Sequence, residues 1–379
     1  MKNLIIATLL LLGATACEKD IFIPQPDVID DVSYANHPKH QQYLEQLESY
    51  RKNTGSPGAI LLIQRQGEPL WAGAVGKSNL EHQTDMRTNT PFRVGSITKM
   101  FVAAAVLRFV EQGRLSLDDQ LGARLPKVVG KIPQSDKITI RHLLSHLSGI
   151  VDPPNESKRY QLELVDNPER MDDKSIDQLL EDYVYGKPLH FQPGTAYSYS
   201  NTNFWLLGQI IESVDGKTVQ QVLDELIFTP LNLKHTYLEQ RDDRNVARGY
   251  ADIYGDGNLL DVSRWDRADT DGKADGGIIS TATDLMTFMS ALMQGQIISP
   301  ASVELMKQVQ LPGCDNIFCE YGLGIELWRF GSEIGFGHNG GSVGIEANII
   351  YMPETGNLTV IYKNNGNGSD KSFLDAYLK

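Results

Sequence analysis

The sequence is short of cysteine, of basic charge and of long hydrophobic runs. Its 379 residues include three Cys, and 35 Lys and Arg stand against 48 Asp and Glu, for a formal net charge of −13. An acidic excess repels phosphate backbones, and no run of Lys or Arg offers a local exception, so we expect no nucleic-acid partner. No internal repeat or low-complexity tract is visible, which argues against solenoids and propellers. Hydrophobic residues at 41% predict a folded chain.

The N-terminal segment carries a hydrophobic run that is too short to span a bilayer. A short positive start is followed by a largely apolar stretch from Leu4 to Leu12 and then by small residues up to Cys17. A transmembrane helix needs roughly 20 apolar residues. The pattern therefore predicts a secretory signal peptide over residues 1–16.

Small residues that end directly at a Cys resemble the lipobox of bacterial lipoproteins. The resemblance implies that Cys17 is lipidated and becomes the new N-terminus, and ordinary cleavage near Ala16 is the alternative. Residues 17–35 contain two Pro and four Asp with little apolar periodicity, which is typical of an extended tether. We therefore expect an exported cell-envelope lipoprotein, periplasmic or on the outer surface, that is held to the membrane by its lipid.

Hydrophobic periodicity predicts strands near both ends of the remaining chain and helices between them. It indicates a helix over about 37–53, a hairpin of strands at 58–65 and 70–76, and an almost wholly apolar helix from Ser96 to Val110. A capping pattern predicts a helix from Thr281 to about Met293. Four further strands are predicted at 322–329, 335–341, 344–352 and 358–363.

These elements predict an α/β fold with antiparallel strands in one composite domain over residues 36–379. The sheet part takes residues from about 36–115 and 275–379. The helical part takes about 116–274, where strand signals are few. We place the active site between the two parts.

Ser96 and Lys99 lie at the start of the apolar helix, three residues apart and therefore on one face. A Ser hydroxyl is a poor nucleophile until a base takes its proton, and burial lowers the pKa of a Lys so that it can serve as that base. Two common residues recur at this spacing by chance, and a capping Ser beside a snorkelling Lys is the structural alternative. Further motifs elsewhere in the chain are needed to distinguish the catalytic interpretation from the structural one.

Three motifs in order resemble the serine β-lactamase and penicillin-binding-protein superfamily, in its class C β-lactamase and D-Ala-D-Ala carboxypeptidase-like branch. They are Ser96-Ile97-Thr98-Lys99, Tyr199-Ser200-Asn201 and His338-Asn339-Gly340. Residues 141–149 and 276–285 are similar to framework stretches of the same branch. The resemblance implies a β-lactamase/transpeptidase-like fold, with an antiparallel sheet flanked by helices plus an all-helical subdomain, and it implies no cofactor.

The resemblance also assigns roles to single residues. Ser96 is the acylated nucleophile, Lys99 and Tyr199 share the proton transfer, and which of the two is the base stays open. Asn201 hydrogen-bonds Lys99 and the substrate amide, although it also fits a cap for a helix over 202–214. The backbone N–H groups of Ser96 and Gly341 form the oxyanion hole. Gly340 and Gly341 let a substrate backbone lie close.

Two positions depart from the family pattern. Many members carry Lys where this chain has His338, whose ordinary pKa near 6.5 predicts a charge that switches near physiological pH. Carboxypeptidase members commonly place hydroxyl residues where Asn339 and Gly341 stand here, so recognition of a D-Ala terminus is in doubt. Arg329 is a further candidate for binding a substrate carboxylate.

Three other patterns in the sequence are typical of functional sites. Gly340 to Gly344 matches the nucleophile elbow of α/β-hydrolases, but that fold needs a His downstream of the Ser, and His338 is the last His of the chain. His142 and His146 are four residues apart without a third metal ligand, so we expect no metal. Cys314 and Cys319 are the two remaining cysteines, and an exported chain favours a disulfide between them over two free thiols.

Together these features predict a membrane-tethered serine hydrolase that works through a Ser96 acyl-enzyme. We expect a monomer that acts on a small-molecule or peptide substrate, with the peptidoglycan stem peptide as one candidate. A β-lactamase-like esterase or D-amino-acid peptidase is the alternative within the superfamily. A non-catalytic lipoprotein that senses cell-wall fragments or β-lactams is the alternative from another class.

Overall fold

The structure is a computed structural model that describes residues 34–239, 244–311 and 320–366. The predicted signal peptide, Cys17, nearly all of the tether, and the pair Cys314 and Cys319 lie outside the described residues. Within the described ranges, no helix combines the length and the apolar character that crossing a membrane requires.

A seven-stranded antiparallel sheet forms the centre of the fold, in the order β3-β2-β1-β11-β10-β9-β8. Two short pairs, β4 with β7 and β5 with β6, lie outside it. The strands are β1 Gly58–Gln64, β2 Trp71–Asn79, β3 Thr84–Asp85, β4 Phe92–Arg93, β5 Tyr250–Ala251, β6 Leu260–Asp261, β7 Ile279–Ser280, β8 Glu326–Phe330, β9 Glu333–Gly341, β10 Glu346–Met352 and β11 Asn357–Lys363.

Helices cover the sheet and fill most of the middle of the chain. They are α1 His40–Asn53, α2 Thr98–Glu111, α3 Leu121–Arg124, α4 Ile140–Leu144, α5 Pro153–Glu156, α6 Lys158–Asp166, α7 Pro168–Asp172, α8 Ile176–Tyr183, α9 Asn201–Asp215, α10 Val219–Leu223, α11 Ser263–Thr270, α12 Ala282–Met293 and α13 Pro300–Lys307. Short 3-10 turns at 34–36, 95–97 and 126–128 and a π turn at 224–228 complete the list.

The sheet buries both of its faces, which explains the unbroken apolar run of β1. On one face, Ile60 and Leu62 join a large core with α2 and α12. On the other, Leu61 and Ile63 pack with Tyr43 and Leu47 of α1. Burial of β1 on both sides therefore fixes the sheet between helical layers.

Helix α2 is buried along almost its whole length, as its apolar sequence predicts. Eleven of its fourteen residues are buried, including the charged Lys99. Its N-terminus lies at the junction of the sheet and the helical middle, because β9 and α9 both pack near it. The fold thus brings the three motifs to one place.

The predicted fold class is confirmed, and element boundaries moved by up to four residues. The strand predicted from 322 begins at Glu326, because Gly322 donates its N–H to the Ile325 carbonyl in a turn and Gly324 takes a φ of +73°. The expectation that Asn201 caps a helix over 202–214 was wrong. Asn201 is itself the first helical residue, and its N–H is bound by the Asp152 carboxylate at 3.1 Å.

Candidate active site

Ser96 lies in a tight turn between β4 and α2, and the surrounding backbone leaves no room for a side chain at the residue before it, Gly95. Gly95 has a φ of +53°, and a Cβ on it would lie 2.8 Å from the Gly341 nitrogen. Arg93, just before the turn, makes two hydrogen bonds of 2.9 Å to Asp271. The nucleophile is therefore held against strand β9.

Lys99 is fully buried and its ammonium has a full set of acceptors. Nζ donates to Ser96 Oγ at 2.9 Å, to Asn201 Oδ1 at 2.8 Å and to the Asp275 carbonyl at 2.5 Å. Burial lowers the pKa of Lys99 to about 8, against the opposing charges of Asp275 and Asp152. A neutral amine, with its lone pair available to the Ser96 hydroxyl, is thus within reach near neutral pH.

Tyr199 contacts the same serine oxygen from another side. Its hydroxyl donates to Ser96 Oγ at 2.7 Å. Burial raises the pKa of Tyr199 well above the ordinary value of 10, so the group stays a phenol at neutral pH. Of the two residues that sequence reasoning left open, the electrostatics favours Lys99 as the base and Tyr199 as a hydrogen-bond donor.

Of the two contacts predicted for Asn201, the one to Lys99 is present. Its Oδ1 accepts from Lys99, but its Nδ2 faces the buried Asp152, whose carboxylate oxygens lie at 3.2 and 3.5 Å. The amide is thereby oriented with its oxygen toward the lysine. Asp152 lies directly before α5, and no local sequence pattern indicated that it would reach the second motif.

His146 supports Tyr199 from behind, a role that sequence analysis did not foresee. The two rings stack with centroids 4.2 Å apart. His146 Nδ1 accepts the Ser200 N–H at 3.1 Å, and Asn203 Nδ2 lies 3.2 Å from the same atom. The residue is fully buried and takes a φ of +58°, which is uncommon for a residue other than glycine. Strain held at such a position indicates that the surrounding contacts define it.

His338 is a neutral, enclosed residue, which corrects the expectation of a charge that switches near pH 7. Its Nδ1 lies 2.5 Å from the Asn339 carbonyl, so Nδ1 carries the proton and Nε2 accepts from the Tyr321 hydroxyl at 2.8 Å. Burial and the nearby Lys99 lower the pKa of His338 to about 3. The fixed cation of many family members is therefore replaced by an uncharged ring.

Strand β9 continues past the start of its edge neighbour β8. The β8 pairing ends where Glu326 faces Gly337, and the next N–H on that side, from Asn339, is bound by Glu326 Oε2 at 3.0 Å. Alternate residues of a strand point their N–H groups to the same side. The N–H of Gly341 therefore faces the same edge, close to Ser96, as the predicted oxyanion hole requires. Gly340 packs so closely on the turn that a Cβ would meet the Val94 carbonyl at 1.9 Å.

Glu326 brings a carboxylate to this edge of the site. Its Oε1 lies 3.6 Å from His338 Nδ1, and 22% of its side chain is exposed. Burial of the carboxyl raises the pKa of Glu326 to about 7, although the bond from Asn339 acts in the opposite direction. Sequence analysis missed both Glu326 and Tyr321, since they precede the third motif along the chain and reach it only through strand pairing.

The structure also shows the surroundings of His142 and Arg329, the two residues considered above for metal binding and carboxylate binding. His142 Nδ1 accepts the Thr139 N–H at 3.3 Å, within the cap of α4. Across the described ranges, no group of three or more His, Cys, Asp or Glu is arranged to hold a metal ion. Arg329 Nε donates to Glu320 at 2.5 Å on strand β8, so this guanidinium already has a carboxylate partner.

Comparison with known proteins places the chain among relatives of several activities. Over 345 residues it is 27% identical to penicillin-binding protein 4 of Amycolatopsis lactamdurans, covering 86% of each protein. It is 31% identical over 199 residues to the esterase EstB of Burkholderia gladioli, covering 52% of this chain and 50% of that one. It is 29% identical over 197 residues to protein flp of Staphylococcus aureus strain MW2, covering 51% of this chain but only 38% of flp.

Solved structures of hydrolases also resemble this chain. A family model matches nearly all of the described residues. A D-stereospecific amidohydrolase from Streptomyces sp. superposes with a TM-score of 0.76 at 28% identity, over 89% of this chain and 98% of that one. D-amino acid amidase from Ochrobactrum anthropi SV3 gives 0.73 at 25% identity, over 88% and 93%. The beta-lactamase family matches residues 44–379. With Ser96, Lys99 and Tyr199 gathered at one oxygen atom, the chain belongs to the beta-lactamase family of serine hydrolases.

Proposed function

We propose that this enzyme hydrolyses small amides and esters of D-amino acids through an acyl-enzyme on Ser96. The observation that carries the proposal is the position of Ser96 Oγ, 2.9 Å from the Lys99 amine and 2.7 Å from the Tyr199 hydroxyl. A base and a donor on one hydroxyl oxygen are what nucleophilic catalysis by serine requires.

The chemistry follows from the protonation states. Neutral Lys99 takes the Ser96 proton as Oγ attacks the substrate carbonyl, and the resulting ammonium keeps its bonds to Asn201 Oδ1 and the Asp275 carbonyl. The N–H groups of Ser96 and Gly341 bind the oxyanion. The proton then passes to the leaving group, with the Tyr199 hydroxyl lying beside the path. A water molecule then attacks the acyl-enzyme, with the same groups transferring the proton, and the acid product is released from Ser96.

The residues around strand β9, where substrate would be recognised, favour a substrate without a carboxylate. His338 is neutral, Asn339 and Gly341 lack hydroxyl groups, and Arg329 is bound by Glu320. A D-Ala-D-Ala peptide and a β-lactam carry a carboxylate that a cation or hydroxyl groups usually bind, and the carboxyl group of Glu326 lies beside His338 instead. The likeness to a D-stereospecific amidohydrolase and to a D-amino acid amidase supports D-aminoacyl amides and esters.

The test compares four substrates with the wild-type enzyme and Ser96→Ala. We expect D-phenylalanine amide and D-phenylalanine p-nitrophenyl ester to be hydrolysed with higher kcat/KM than a chromogenic cephalosporin or a D-Ala-D-Ala peptide, and Ser96→Ala to abolish all hydrolysis. A higher kcat/KM for the D-Ala-D-Ala peptide, which the full-length match to a penicillin-binding protein would favour, would replace the proposal with a carboxypeptidase. Stable penicillin labelling without turnover would favour a sensor.

We also propose that the enzyme is exported and anchored by a lipid on Cys17, with a disulfide between Cys314 and Cys319. The support is the signal-like sequence that ends in small residues at Cys17 and the even number of remaining cysteines. Detergent partitioning and intact mass of the wild type and Cys17→Ala test the anchor, and a soluble wild-type protein would contradict it. Thiol counting under denaturing conditions tests the disulfide, and gel filtration tests the expected monomer.

A further inference from the structure

Helix α11 carries two buried carboxylates that bind the chain on either side of the proposed oxyanion hole. The helix spans Ser263–Thr270, and its Asp266 is fully buried. Asp271 follows as the C-cap residue and is buried as well. The proposed hole consists of the N–H groups of Ser96 and Gly341, and each belongs to a segment that one of these carboxylates binds.

Asp266 binds the turn that follows Gly341. Strand β9 ends at Gly341, and the turn into β10 is closed by a hydrogen bond from the Ser342 N–H to the Ile345 carbonyl at 3.1 Å. Within that turn, the Gly344 N–H donates to Asp266 Oδ1 at 3.0 Å. A Cβ on Gly344 would lie 2.6 Å from Oδ2 of the same carboxylate, so the contact is close on both oxygens. Asp266 thus fixes the end of β9 relative to α11.

Asp271 binds the segment that precedes Ser96. Arg93 Nε and Nη2 donate to its two carboxylate oxygens, both at 2.9 Å. The two side chains are 12% and 6% exposed, so solvent screens the pair little. A bidentate arginine–carboxylate pair fixes orientation as well as distance. Arg93 stands three residues before Ser96, and Gly344 stands likewise three residues after Gly341.

Between the two donors the backbones meet at glycines. A Cβ on Gly95 would lie 2.8 Å from the Gly341 nitrogen, and one on Gly340 would overlap with the Val94 carbonyl. The turn and the strand therefore approach each other here without Cβ atoms between them. Their separation depends on how each segment is held from outside, and α11 holds both.

We propose that α11 sets the separation of the Ser96 and Gly341 N–H groups. Asp266 holds the strand side of the oxyanion hole and Asp271 holds the turn side, and both are positioning residues. The inference rests on the proposed function, since these donors act only when an acyl group is transferred. Donors of this kind must lie at about 2.7 to 3.1 Å from the oxyanion. A shift of either segment therefore weakens binding of the transition state more than binding of the substrate.

The experiment uses two substrates that differ in the atom that enters the oxyanion hole. D-phenylalanine p-nitroanilide presents a carbonyl oxygen, whereas the matching thioanilide presents sulfur, which is larger and accepts hydrogen bonds more weakly. We expect Asp266→Ala to lower kcat for the oxygen substrate roughly 10- to 100-fold, with KM changed less than about threefold. The ratio of kcat/KM for the oxygen substrate to that for the sulfur substrate should fall roughly tenfold, because the sulfur substrate gains less from the donors.

Milder variants separate position from packing. Asp266→Asn keeps Oδ1 as an acceptor for the Gly344 N–H and should recover most of kcat. Asp271→Asn loses one of the two bonds to Arg93 and should lower kcat and the ratio roughly threefold. When Asp266→Ala and Asp271→Asn are combined, the losses should be less than multiplicative, because both act on one separation. Burial raises the pKa of Asp266 to about 6, although Arg93 acts in the opposite direction, so assays at pH 8 keep this carboxyl ionised.

Matched controls remove the same groups elsewhere. Asp284 is likewise buried and accepts a backbone N–H, from His235 at 2.9 Å. Asp215 pairs with Arg114 at 2.6 Å. Asp284→Ala and Asp215→Asn should leave the ratio of the two substrates at the wild-type value. Melting temperatures establish that every variant compared is folded at the assay temperature.

The outcomes separate the two proposals. An unchanged ratio in Asp266→Ala and Asp271→Asn, a loss confined to KM, or an equal fall of the ratio in Asp284→Ala overturns the role of α11. If Asp266→Ala does not fold, Asp271→Asn alone decides. In each of these cases, hydrolysis that Ser96→Ala abolishes leaves the proposed function standing. Hydrolysis of both anilides that persists unchanged in Ser96→Ala contradicts both proposals.

Discussion

The two sides of the active site differ in how closely they follow the family pattern. On the helix side, Ser96, Lys99 and Asn201 occupy motif positions, and Lys99 Nζ donates to Ser96 Oγ at 2.9 Å and to Asn201 Oδ1 at 2.8 Å. On the strand side, His338 is neutral and lies beside the carboxyl group of Glu326, whose pKa burial raises to about 7. The helix side fixes the reaction, whereas the strand side decides what is bound. The two can therefore be altered separately.

The largest effect is expected from replacing Lys99, the proposed base on the helix side. We expect Lys99→Met to lower kcat/KM about 10³-fold, because general-base catalysis contributes that much and Ser96 would lack a proton acceptor. Lys99→Arg is the matched control, since it keeps the positive charge but stays protonated. Steady-state rates on the p-nitrophenyl ester measure both. Substantial activity in the arginine variant would mean that the charge, and not the base, is what matters.

A second test addresses the support behind Tyr199. We expect His146→Phe to lower kcat roughly 10- to 100-fold with little change in KM, because it keeps the stacked ring but loses the acceptor for the Ser200 N–H at a left-handed backbone position. His146→Asn tolerates that backbone and retains an acceptor, so it should recover part of kcat. Equal losses of kcat and thermal stability in both variants would reduce His146 to a packing role.

The pH dependence sharpens the assignment of the base. Because burial lowers the pKa of Lys99 to about 8, the neutral amine increases about tenfold per pH unit below that value. We expect kcat/KM for the p-nitrophenyl ester to rise with that slope from pH 6 and to level off above about pH 8. The phenol of Tyr199, with its pKa raised well above 10, should add no falling limb in this range. A profile that is flat from pH 6 to pH 9 would contradict the assignment.

The smallest effect is expected at Arg329. Because this residue is half-exposed and pairs with Glu320, Arg329→Gln should change kcat/KM by less than about threefold and the free energy of unfolding by less than about 1 kcal/mol. Measurements on the p-nitroanilides of N-acetyl-D-phenylalanine, which is neutral, and N-succinyl-D-phenylalanine, which is anionic, check this. A selective loss with the N-succinyl probe would show that the strand side retains a carboxylate site after all.

Features that depend on local sequence were predictable, whereas contacts between residues distant in sequence were not. The apolar helix from Ser96, the hairpin and the C-terminal strands were predictable because periodicity is a local property. The resemblance of the three motifs to the family implied that Ser96, Lys99, Tyr199 and Asn201 share one site. Asp152, His146 and Glu326 were not predicted, because each reaches the site through tertiary contacts that no local pattern records. The neutral state of His338 likewise depends on burial, which residue identity does not reveal.

The order of strands in the sheet affects when, during synthesis of the chain, the active site can form. Strand β1 lies between β2 and β11, and Asn364 Oδ1 accepts the Gly58 N–H at 2.6 Å across 306 residues. Such pairings form slowly, since a long loop must close before they stabilise anything. The strand that supplies Gly341 is joined to β1 only through β10 and β11. Hydrolytic activity should therefore arise late in synthesis, and a chain truncated before β11 should be inert.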